Sequence, residues 1–151
     1  METIRLEIVT PERLAFSEDV RWVTLPGVSG VMTVLPKHAP LMTILQPGEL
    51  VIRRPDGEEV LFAVGGGIAE VRPDKVVILA DAAEREDEID IARAEAARQR
   101  AERLLKEGVP PERRRELELS LRKAYVRLRV ARRRRPRPGL QPRGEEEEQS
   151  T

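Results

Sequence analysis

Apolar and polar residues alternate along the first part of the chain. Ile4, Leu6 and Ile8 are interleaved with Arg5, Glu7 and Val9, the two-residue period of a half-buried strand. Thr10-Pro11-Glu12 breaks that strand. Val20 to Leu25 reads as another strand, turned by Pro26-Gly27, and Val31 to Leu35 follows, closed by Pro36. LVIRR-PDGEE-VLFAV predicts a hairpin with Pro55-Asp56-Gly57 at its turn, and IAEV-RPDK-VVILA predicts a second. Many short strands with closely spaced turn signals imply a β-sandwich or barrel over residues 1–83.

From Glu84 the period changes. Ala94, Ala97, Ala101 and Leu104 fall at alternating spacings of three and four, and so do Leu117, Leu121, Ala124, Leu128 and Ala131. Gly108-Val109-Pro110-Pro111 separates the two runs, so residues 84–135 are expected to form an antiparallel two-helix hairpin. The fold class is therefore α+β. The expected register sets Ala94 against Ala124, Ala97 against Leu121 and Ala101 against Leu117. An alanine seam buries little apolar area, so this hairpin is expected to be marginal and able to open. Beyond it, PRPGLQPRGEEEEQST at 136–151 has the proline, glycine and like-charge content of a disordered tail.

Charge sharpens the division. Residues 1–83 carry 8 basic and 12 acidic groups, whereas 84–151 carry 19 and 15, so the second half is expected to seek an anionic partner or ligand. There is no cysteine, hence no thiolate metal site or disulfide framework. Glu2, Arg5 and Glu7 stand where a signal peptide would need an apolar run, and no stretch is apolar over a membrane-spanning length. The expectation is a soluble, cytosolic chain without direct membrane insertion.

Candidate chemistry is sparse. Gly65-Gly66-Gly67 is not followed by Gly-Lys-Ser/Thr and leads into a strand, so a bulge or close backbone approach is favoured over a phosphate loop. His38, the single histidine, lies between Pro36 and Pro40 without the partners of a triad or a metal site. Glu58-Glu59 falls at a hairpin turn, and Asp87-Glu88 is expected to favour the start of the first helix. No catalytic constellation emerges. Seven arginines between 127 and 137 raise the alternative of a basic helical hairpin that binds nucleic acid, but no aromatics interleave them for base stacking.

Three stretches together resemble the epsilon subunit of the F-type rotary ATP synthase: LPKHAPLMTIL with GEL, VGGGIAEVRPDKVVILADAAER, and EIDIARAEAARQRAER. The resemblance covers residues 2 to about 131. It implies a non-catalytic subunit with a β-sandwich and a helical hairpin, peripheral on the cytoplasmic face of the bacterial membrane. Its implied partners are the gamma subunit, the ring of c subunits and, with the hairpin extended, the catalytic head. The implied role is to couple rotation to ATP synthesis and to restrain ATP hydrolysis. No cofactor is required, but some members bind a regulatory ATP on the folded hairpin at Ile/Leu-Asp-x-x-Arg-Ala. Here that motif reads Ile89-Asp90-Ile91-Ala92-Arg93-Ala94.

By the same resemblance Arg100 matches a further contact. Lys123 and Arg127 stand where the family has two arginines four apart. Arg93 and Arg100 share one edge of the first helix, and Lys123 and Arg127 share one edge of the second. The expected register sets Arg93 level with about residue 125 and Arg100 with about residue 118. A polyphosphate among these cations would neutralise their repulsion and hold the hairpin shut. Ala94 leaves room for a base or ribose, Ile89 offers an apolar wall, and Asp90 or Glu84 accepts hydrogen bonds. In the sandwich, Gly30-Val31-Met32-Thr33 replaces the family's Gly-Glu-Leu-Gly, and Val31, Met32 and His38 are the residues the resemblance would turn to the ring.

Overall fold

The computed structural model describes residues 2–134, Arg134 by its backbone only. The expected tail at 136–151 lies outside the described residues. Ten strands precede two helices: β1 (Ile4–Val9), β2 (Leu14–Val20), β3 (Trp22–Gly27), β4 (Gly30–Val34), β5 (Leu41–Leu45), β6 (Gly48–Arg53), β7 (Glu59–Val64), β8 (Gly67–Val71), β9 (Lys75–Ala80), β10 (Ala83–Arg85), α1 (Ile91–Glu107) and α2 (Pro111–Arg134).

The strands form two layers. One is β10-β7-β6-β3, with β4 also on β3, and the other is β5-β8-β9-β1-β2. A single bridge, Gly27 to Leu45, joins them. All pairs are antiparallel except β1 with β9. Both predicted hairpins form, with Arg53 opposite Glu59 in one and Val71 opposite Val76 in the other. Leu14–Val20, Leu41–Leu45 and Ala83–Arg85 add strands that the sequence pattern did not single out. β10 carries the sheet past residue 83, because Ala83, Glu84 and Arg85 pair with Val64, Ala63 and Phe62.

The inner faces make one aliphatic core. Ile4, Leu6 and Ile8 of β1 meet Leu50 and Ile52 of β6 and Val60, Phe62 and Val64 of β7. Phe16 and Phe62 cross between the layers edge to face, centroids 5.9 Å apart. The glycine triplet is a close backbone approach. A Cβ at Gly67 would stand 2.1 Å from the Leu79 carbonyl oxygen, and its φ of 149° also favours glycine.

β7 is buried on both faces. Its odd-numbered residues Leu61 and Ala63 turn outward and are covered by the helical hairpin. They form a second, separate cluster with Ile89, Val126, Val130 and Ala131. The hairpin is therefore folded against the outer face of one layer. Its register differs from the expected one. Glu95 reaches Arg132, and Glu102 accepts from the Tyr125 hydroxyl, so α2 is displaced by roughly two and a half turns relative to an Ala94–Ala124 pairing. Leu128, Ala124 and Ala131 are buried, whereas Leu117 and Leu121 are only half-buried. The heptad period fixes which face packs but not which rung meets which. Here the larger sheet contact of Val126 and Val130 fixes the rung.

Candidate functional site

Asp90 is the N-cap of α1. Its Oδ1 accepts from the Arg93 backbone N at 3.1 Å, satisfying one of the free donors of the first turn. The cap therefore comes from Asp90. Asp87 and Glu88 lie in the preceding turn, and Glu88 is bound by Arg13 at 2.7 Å rather than by the helix start. Ile89 is buried beneath α2, and Ala94 is fully buried in the hairpin seam.

Glu84 sits on β10 and meets Arg127 of α2. Arg127 Nη2 donates to Glu84 Oε2 at 3.1 Å, and Nε lies 2.7 Å from Oε1. Lys123, one turn earlier, lies against Gly65, whose added Cβ would stand 3.5 Å from the Lys123 Cε. Glu84, Lys123 and Arg127 thus line one small cavity of about 60 Å³ with Ala63, Val64 and Ala82. That volume is below the roughly 300–1,000 Å³ of ligand pockets.

Arg93 and Arg100 are exposed on α1, and neither guanidinium has a partner among the described residues. They occupy the edge of α1 opposite Glu95, Arg98 and Glu102. Those three form a ladder: Arg98 binds Glu95 at 2.8 Å and Glu102 at 3.0 Å. Hydrogen bonding from Arg98 holds the Glu95 carboxyl below its ordinary range, and the Tyr125 hydroxyl, 2.5 Å away, does so for Glu102. Since that ladder faces Tyr125 and Arg132, the four cations singled out in the sequence share the other side of the hairpin. The observed register sets Arg100 level with Lys123 and Arg127, and Arg93 about two turns further along α2. This replaces the expected levels near 125 and 118.

In the β3–β4 hairpin, Val31 and Met32 point to opposite faces, as neighbours in a strand must. Val31 is 72% exposed, while Met32 packs on the inner core. His38 is half-buried, its Nδ1 2.7 Å from the Ala39 carbonyl oxygen, beside Lys37 with a φ of 66°.

Outside these residues the second layer carries a feature that single-strand patterns could not show. Ile44, Ile68, Leu79, Val9 and Leu14 are successive cross-strand neighbours on its outer face. Four of them are 44–60% exposed, and Met42 beside them is 70% exposed. Each looks like an ordinary surface apolar residue in sequence. Only the pairing makes them a stripe.

The architecture of sandwich and hairpin matches two family models in tandem: the ATP synthase delta/epsilon chain β-sandwich domain over residues 3–86 and its long α-helix domain over 87–132. The chain belongs to the ATP synthase delta/epsilon family. It is similar to an ATP synthase epsilon chain of Dehalococcoides mccartyi, 53% identical over 139 residues, covering 91% of this chain and 99% of that one. A Herpetosiphon aurantiacus epsilon chain is 49% identical over 134 residues, covering 89% and 98%. Among solved structures, a chain in the Euglena gracilis mitochondrial ATP synthase has the same fold, with a TM-score of 0.75 at 24% identity, covering 85% of this chain and 81% of its own length. The seam between the two delta/epsilon models, after residue 86, falls in the turn between β10 and α1. Among the described residues no helix is long and apolar enough to cross a membrane.

Proposed function

We propose that this chain, an epsilon-type subunit of the F-type ATP synthase central stalk, couples the stalk to the c-ring and restrains ATP hydrolysis through a hairpin that leaves the sandwich. It performs no catalysis itself. The observation that carries the reading is the division into two apolar clusters. The main core lies wholly within the sandwich, and the hairpin is held by a small satellite of Leu61, Ala63, Ile89, Val126, Val130 and Ala131. Burying Ile89, Val126 and Val130 contributes roughly 1.5–3 kcal/mol each, before the entropy of ordering the helices is set against it. A hairpin so held can detach without unfolding the β domain.

The apolar stripe from Ile44 to Leu14 is the surface we assign to the gamma subunit, since it lies on the layer that the hairpin leaves open. Val31, exposed at the tip of its hairpin, and His38 are assigned to the ring, and Met32 supports Val31 from the core side. The subunit is placed on the cytoplasmic face of the bacterial membrane through these partners.

ATP is the ligand proposed for the cation edge. Arg93 and Arg100 are unpartnered among the described residues, and Lys123 and Arg127 stand on the same side of the hairpin. The small cavity there means that a nucleotide lies along the surface of the edge and takes Arg127 from Glu84. Calorimetric titration of the isolated chain with Mg-free ATP, and with GTP as control, tests this. Saturable heat with ATP supports the site, and no heat in the millimolar range removes it.

A further inference from the structure

The other side of α2 holds a larger cavity, unrelated to the nucleotide edge. It is a cleft of about 630 Å³ between α2 and the outer face of β3, β4 and β6. Its walls are mixed, with an apolar stretch on each side and Thr24, Glu49 and Tyr125 among the polar lining. Pro26, Pro47 and Val51 form the sandwich side, and Leu121 and Val126 the helix side. Gly48 makes the floor tight, since a Cβ there would come 2.6 Å from the Pro26 Cβ.

Two cations stand at its rim. Arg122 donates to the neutral Gln46 amide oxygen at 2.7 Å, and Arg129 has no partner among the described residues. Of the two acids of the cleft, Glu118 pairs with Arg114 at 3.3 Å, and Glu49 pairs with Arg133 at 2.9 Å through Oε1 while its buried Oε2 has no hydrogen-bond partner among the described residues. Two guanidinium groups not neutralised by a carboxylate therefore overhang a partly apolar slot of ligand size.

We propose that this cleft binds a small amphipathic anion, its apolar body between the prolines and Val126 and its charged group on Arg122 and Arg129. The slot excludes an inorganic anion as the natural occupant, because phosphate alone would leave the apolar stretches uncovered. Both walls are required, so the cleft exists only while the hairpin is folded, and an occupant selects that state. This does not depend on ATP binding at the opposite edge.

The test uses the full chain, isotopically labelled, with 8-anilinonaphthalene-1-sulfonate as the anionic probe and N-phenyl-1-naphthylamine as its neutral counterpart. The expected result is amide shifts at Val31, Val51, Val126 and Arg129. Affinity for the sulfonate should fall about tenfold in Arg129→Ala and in Arg122→Gln, with the neutral probe unaffected. Shifts confined to Ile44, Ile68 and Leu79, or equal binding by the arginine variants, would overturn the proposal. Binding that appears only after the chain is cut following residue 134 would also overturn it, since the chain's own end would then fill the cleft.

Discussion

Glu84 and Arg127 join the last strand of the sandwich to the second helix of the hairpin, Nε to Oε1 at 2.7 Å. Their side chains are 33% and 24% exposed, so solvent screens the pair only in part. Arg133 with Glu49 and Arg122 with Gln46 fasten α2 at two further points. We expect Glu84→Gln to loosen the hairpin without unfolding the sandwich. Hydrogen exchange should rise several-fold at Leu128 to Ala131 and stay constant in β1 and β9.

The nucleotide edge gives a second expectation. With ATP on the proposed edge, Arg93→Ala would remove a charge-assisted contact to phosphate and should weaken ATP binding by about 1.5–3 kcal/mol, read by calorimetry. Lys123→Arg replaces a point charge with a planar fork and should preserve or strengthen it. Equal affinity in Arg93→Ala and the unaltered chain would place the ligand elsewhere.

Val130 is fully buried in the satellite cluster. Val130→Asp would bury an unpaired carboxylate at a cost on the order of 3 kcal/mol, enough to release the hairpin. Trp22, the single tryptophan, lies in β3 beneath Arg21 and Arg53 at 5.3 and 5.5 Å and reports on the sandwich alone. Its fluorescence should stay native in Val130→Asp while helical exchange protection disappears.

The Glu102–Tyr125 contact gives the pH dependence. The Tyr125 hydroxyl depresses the Glu102 pKa, so that contribution is present above the ordinary carboxylate range and is lost as pH falls through the lowered value. The Tyr125 pKa is raised by the same bond, so its contribution is present below the ordinary phenol range and is lost as pH rises through the raised value. Hairpin protection should therefore fade at both extremes, and Tyr125→Phe should flatten both limbs.

Much of this molecule is legible from its pattern. The two β-hairpins, the change of period at Glu84 and the buried alanines Ala94, Ala101, Ala124 and Ala131 follow from local spacing, whereas Ala97, expected in the same seam, is exposed. Leu14–Val20, Leu41–Leu45 and β10 do not follow from spacing, because long-range pairing completes them: β10 exists through Val64 and Phe62. The helix register is likewise non-local, set where Val126 and Val130 meet Leu61 and Ala63. Of the candidate site, Arg93, Arg100, Lys123 and Arg127 are named by the resemblance, and helical spacing adds that each pair shares one edge. The structural duties of Asp90 as cap and Ile89 as core were not legible. Nor was the Ile44–Leu14 stripe, whose members are scattered over five strands. Substituting Ile68→Glu together with Leu79→Glu should abolish capture of the gamma subunit while leaving the fold intact.

The central claim is that a detachable hairpin restrains hydrolysis. Its direct measurement is the hydrolysis rate against ATP concentration for the reconstituted F-type enzyme carrying either the full chain or a chain ending after Asp87, which keeps β10 whole. The truncated form should hydrolyse faster at low ATP, the difference narrowing as ATP rises, with coupling retained. Equal rates at every ATP concentration would contradict the account.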